Sequence, residues 1–125
     1  MKIKTLMVIC AVITAVFGLA FVILPERFLL LYGTPDPAPL KYLGQLFGAA
    51  LITFAVLTWS ARNSPDNEAR KAIVFSLFAG NAVGFVAALM GQLGGAVNEL
   101  GWSTTAIYFL LSAGFGYFHF TKPAS

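Results

Sequence analysis

The chain has 125 residues, enough for one domain, and it is read as a single domain over residues 1–125. Hydrophobic residues make up 58% of it and charged ones 10%, with a mean hydropathy of +0.81, which leaves too little polar surface for a water-soluble globule. The net charge of +3 is small and its basic residues are scattered, which excludes a nucleic-acid surface; the lone Cys10 excludes an internal disulfide.

Residues 5–24 form the first predicted membrane span, after Lys2 and Lys4. The apolar run is about 20 residues, longer than the 7–15-residue core of a signal peptide and enough to cross about 30 Å of hydrocarbon. Pro25-Glu26-Arg27 stops this helix. Phe28 to Tyr32 is too short to cross and suits a short interfacial helix ending at Gly33. Residues 34–39 carry three prolines and are predicted to be extended, without helix.

Residues 40–60 form the second span, with Gly44 and Gly48 as a GxxxG pair that makes it a natural partner for the third span, and Trp59 at the far interface. A polar turn follows, in which Ser64 and Pro65 read as N-cap and first residue of the next helix. The third span, residues 72–92, places a small residue at every fourth position: Ala72, Ser76, Gly80, Gly84 and Ala88. Residues four apart share one helix face, so this row predicts a groove against which another helix packs closely. Residues 93–101 form the next turn, and residues 102–120 the fourth span, entered at Trp102. Lys122, Pro123, Ala124 and Ser125 read as a frayed tail.

The fold class is therefore an all-α membrane protein: an antiparallel bundle of four transmembrane helices with a short interfacial helix after the first. With both termini on one side, that side carries Lys2, Lys4, Arg62, Arg70, Lys71 and Lys122, and the other only Arg27 and Lys41. This bias places both termini in the cytoplasm of a bacterial inner membrane and opposes dual topology.

All five acidic residues fall in loops, so no carboxylate lies within a predicted span and the one basic residue in a span, Lys41, stands at its very start, which disfavours a proton-coupled transporter. His119 is the only histidine and stands as an interface residue rather than a metal or haem ligand. No catalytic triad, phosphate loop or metal-spacing motif occurs, so the chain reads as a non-enzyme without cofactor. Thr14, Thr53, Asn81 and Ser112 each fall near the middle of a span. They predict a hydrogen-bonded layer between helices, or, with Gln45, Tyr108 and Gln92 above it, a small polar pocket. Thr and Ser can bond their own backbone carbonyls, whereas Asn81 is expected to need a partner.

Two stretches carry a family resemblance. They are Leu-Pro-Glu-Arg-Phe at residues 24–28 with Tyr32-Gly33, and Tyr-Leu-Gly-Gln-Leu-Phe-Gly-Ala-Ala-Leu at residues 42–51 with Trp59-Ser60-Ala61-Arg62 beyond it. In these and in its hydropathy pattern the chain resembles small uncharacterised bacterial membrane families, loosely similar to the DoxX-like superfamily of four-helix proteins. Some of these place an arginine before the second-helix glycines, where this chain has Lys41-Tyr42. The resemblance implies a four-helix membrane fold and carries no active-site residues over.

The leading expectation is an accessory or assembly subunit that associates with itself or with a larger membrane complex. The alternatives are a small transporter or channel with a polar midplane path through Asn81, and a binder of a lipid, a quinone or another lipophilic ligand in a cleft under the Phe28 to Tyr32 segment.

Overall fold

The computed structural model describes residues 2–121, and every regular element among them is helical. α1 spans Ile3–Ile23, α2 Pro25–Leu31, α3 Lys41–Ala61, α4 Glu68–Leu93 and α5 Gly101–Thr121. The tail Lys122, Pro123, Ala124 and Ser125 lies outside the described residues.

Proline and glycine set several of the boundaries. α1 ends at Ile23, just before Pro25, as expected, and Pro25 also opens α2, where its missing N–H would be unpaired anyway. Gly33 closes the turn after α2 at φ +89°, a left-handed conformation that a side chain strains. The proline-rich connection is not wholly extended as predicted: Ala38–Leu40 winds into a 3₁₀ turn, where Asp36 Oδ1 accepts from the Ala38 amide at 3.4 Å. The N-cap of α4 is also corrected. Asn67 holds that place, its side chain accepting from the Arg70 amide at 3.0 Å. Ser64 instead donates to the Ala61 carbonyl at 2.8 Å and finishes the end of α3.

Three helices, at Ile3–Ile23, Ala38–Ala61 and Glu68–Leu93, are long and apolar enough to cross a membrane by length and composition. The four-span bundle expected from the sequence is thereby corrected. α5 matches the others in length, but Ser103, Thr104, Thr105, Tyr108 and His119 dilute its apolar content.

The helices pack as two antiparallel pairs, α1 with α3 and α4 with α5, so the second predicted span partners the first rather than the third. The first pair closes on glycine. A Cβ added at Gly48 would stand 2.7 Å from the Gly18 carbonyl oxygen and 2.8 Å from Phe21 Cβ. The second pair closes on aromatic rings laid against glycine, Phe78 on Gly116 and Tyr108 on Gly84.

The two pairs meet in two places. At the end holding the start of α1, α1 and α5 touch, with Leu6 against Gly114. There Ile3, Leu6, Met7, Cys10, Ala61, Val74, Leu77, Leu111, Phe115 and Phe118 form the core. At the opposite end the turn after α2 is stitched to the α4–α5 loop. Asn98 donates its side chain to the Leu31 carbonyl (2.9 Å) and its amide to the Tyr32 carbonyl (3.0 Å), and Tyr32 Oη lies 2.7 Å from Thr104 Oγ1. Between these two ties α3 and α4 hardly touch, and a cleft opens.

Candidate functional site

The cleft has a volume of about 560 Å³ and draws its walls from all four long helices and from the segment after α2. On α4 its lining runs from Ser76 to Gly91, which at 1.5 Å per residue is about 22 Å. It is elongated along the helices, and its mouth lies between α3 and α4, where Phe47, Phe54 and Val83 are exposed at 42%, 44% and 70%.

The row of small residues on α4 makes this space. Ser76, Gly80, Gly84 and Ala88 all line it, together with Ala87 and Gly91. At Gly80 an added Cβ would meet nothing within 4 Å. Gly84 is the exception in the row, filled from α5 by the Tyr108 ring. Ala72, one step further along the row, is exposed and does not line the cleft. Gly44 and Gly48 are buried in the α1–α3 pair, away from it.

The polar mid-helix residues divide in the same way. Thr14, Asn81 and Tyr108 line the cleft; Gln45, Thr53 and Ser112 do not. Nor do Thr14, Thr53, Asn81 and Ser112 bond one another. Thr14 donates to the Cys10 carbonyl (2.7 Å) and Thr53 to that of Ala49 (3.1 Å). Asn81 also bonds within its own helix, its amide group donating to the Leu77 carbonyl at 2.7 Å. Its side-chain oxygen remains as an acceptor on the cleft wall. Two of the group reach across helices, and both reach backbone: Gln45 Nε2 donates to Val22 O (3.3 Å) and Ser112 Oγ to Phe78 O (3.4 Å).

Two features of the site were not anticipated from sequence. One is an aromatic cluster at the Tyr32 end. Phe28 stacks edge-on against Phe17, Phe21 and Tyr32 with centroids 5.6, 4.8 and 5.6 Å apart, and Phe21 against Phe47 at 5.2 Å. The four-residue spacings 17–21 and 28–32 were the available signal. The other is the Tyr32–Thr104 hydroxyl pair, joined across 72 positions of chain and lining the cleft at that same end.

Among the described residues, no Asp, Glu, Lys, Arg or His lines the cleft. Among the described residues no group of three or more His, Cys, Asp or Glu is placed to hold a metal ion. The site's chemistry is therefore that of an apolar slot with neutral hydrogen-bonding groups. Slots of this size and lining bind small molecules by shape, with a few polar groups fixing orientation.

Residues 8–121 match the model of a family described as a domain of unknown function, DUF8292, and the chain belongs to that family. The family match is to DUF8292; no DoxX-like match accompanies it. No curated protein and no solved structure matches the chain.

Proposed function

We propose that this protein is a non-enzymatic bacterial inner-membrane protein that takes up a lipophilic molecule in the cleft between its two helix pairs. The observation that carries the reading is the cleft itself: about 560 Å³, apolar, with its mouth between two helices that can span a bilayer. The outward faces support the setting. Val16, Ile23, Val83 and Met90 are 61%, 67%, 70% and 69% exposed, and a soluble monomer rarely shows so continuous an apolar surface. A mouth on that surface admits a lipid-soluble molecule sideways from the acyl region without passage through water.

A second reading has its own observation. The open row at Gly80 and Ala88 could instead receive a helix from a second copy or from a larger membrane complex, since small residues let helix backbones approach. This is the accessory-subunit role.

Native mass spectrometry of the protein released from mild detergent reads both possibilities at once. The expected result is a monomer carrying a lipophilic adduct that Gly80→Phe removes while the melting temperature is retained. A mass of two copies or of a hetero-complex, broken by Gly80→Phe, would establish the second reading in its place. Bare monomer for wild type and variant alike would overturn both.

A further inference from the structure

Resting on that reading of the cleft, we infer that its occupant is an uncharged, single-tailed lipophile whose head carries a hydroxyl or carbonyl and sits at the Tyr32–Thr104 end. Three observations converge on this class. First, none of the lining side chains bears a charge. An ionised carboxylate or phosphate head would be desolvated there without a counter-charge, so charged lipids are disfavoured. Second, the lining hydroxyls fall into two groups, one toward each end of the slot, with the Asn81 amide, its oxygen unbonded, between them. At the Ser76 end the hydroxyl of Ser76 donates to the Ala72 carbonyl at 2.7 Å, and Thr14 likewise serves its own backbone. At the other end Tyr32 and Thr104 share one hydrogen bond between two hydroxyls. Two hydroxyls joined by one bond leave one proton uncommitted, a donor for an incoming oxygen. Thr34 and the Tyr108 side chain line the same region. Third, the slot is long rather than compact, running about 22 Å along α4, with Leu77, Leu111 and Ile13 toward the far end. An extended tail fits it, with its head held among aromatic rings whose edges and faces tolerate a neutral group.

The test uses three probes of one chain length with the detergent-purified protein: hexadecan-1-ol, hexadecanoate at pH 8 and hexadecane. Binding is read by native mass spectrometry and by thermal stabilisation. Hexadecanol is expected to bind at least about tenfold more tightly than hexadecanoate, the ratio set by stranding a charge in an apolar slot. Thr104→Val and Tyr108→Phe are each expected to lower hexadecanol affinity about three- to tenfold, the range of one lost hydrogen bond, while leaving hexadecane unchanged. A variant that merely loosened the fold would weaken both probes together, and Tyr108→Phe leaves the Tyr32–Thr104 bond intact. Equal or tighter binding of hexadecanoate, or hexadecanol binding that ignores both variants, would overturn the head-group assignment and leave the cleft reading standing. Binding of none of the three, with wild type behaving as Gly80→Phe, would overturn the cleft reading as well.

Discussion

Single glycines do opposite things in this molecule, although on paper they look alike. At Gly48 the missing side chain is what lets α3 reach α1, since a Cβ there meets the Gly18 carbonyl, Phe21 and Val22 all within 2.9 Å. At Gly80 the missing side chain is part of an open wall. The two therefore separate under the same substitution. Gly48→Ala should destabilise by about 1–3 kcal/mol, the range for overpacking where backbone cannot give way. Gly80→Ala should be neutral or raise stability by up to about 1 kcal/mol through helix propensity alone. Thermal unfolding in detergent, followed by tryptophan fluorescence from Trp59 and Trp102, checks both. Equal losses at the two sites would mean that Gly80 packs against a helix after all. The same contrast shows the limit of reading residues from sequence. A row of small residues predicts room for something, but what fills the room depends on neighbours remote in the chain, such as Tyr108 filling Gly84 and nothing filling Gly80. The mid-helix hydroxyls mislead for a related reason. Thr14, Thr53 and Ser76 have a carbonyl four residues back at 2.7–3.1 Å, so their depth in the bundle does not oblige them to find one another.

At the scale of elements, helix ends were the most legible part. Pro25, Gly33 and the polar run at 62–67 act on the backbone locally, so their effect is visible without the fold. The N-cap of α4 went to Asn67 rather than Ser64 because both types cap well and only the geometry chooses between them. The tie between the helix pairs was not legible at all: Asn98 and its acceptor Leu31 are 67 positions apart, and nothing in either loop marks the other. That tie has a measurable role. Asn98 also accepts from the Leu100 amide at 3.0 Å, so Asn98→Ala removes two side-chain hydrogen bonds at once. It should cost about 1–2 kcal/mol and leave the Leu31 carbonyl without its side-chain donor. Hydrogen exchange should then rise in residues 31–34 and 98–104, while the α1–α3 contact around Gly48 keeps its protection. A uniform rise over all helices would instead mean that the tie supports the whole fold rather than one end of the cleft.

At the scale of the molecule, charge and packing divide along the same axis. The end with the hydrophobic core carries Lys2, Lys4, Arg62, Arg70 and Lys71 among the described residues; the end with the Asn98 tie carries only Arg27 and Lys41. The basic end is also where acids are paired, Arg70 with Asp66 and Lys71 with Glu68, each at 3.4 Å. Both acids are exposed, so the pairs carry little energetic weight, although the Arg70 side chain itself is largely covered, and they do not cancel the asymmetry that membrane insertion responds to. If the basic end faces the cytoplasm, the Tyr32–Thr104 end of the cleft lies toward the outer face. The proposed ligand head would then sit near that interface, with its tail pointing inward. The arrangement can be read with a membrane-impermeant maleimide. Cys10 is 1% exposed and should stay silent, so single cysteines can be placed at Asn63 and Ala96, both exposed and at opposite ends. In intact spheroplasts Ala96→Cys should label and Asn63→Cys should label only after lysis. The reverse pattern would invert the orientation and put the ligand head at the cytoplasmic face. Labelling of both in intact spheroplasts would show a chain that inserts both ways round, which the excess of basic residues at one end argues against.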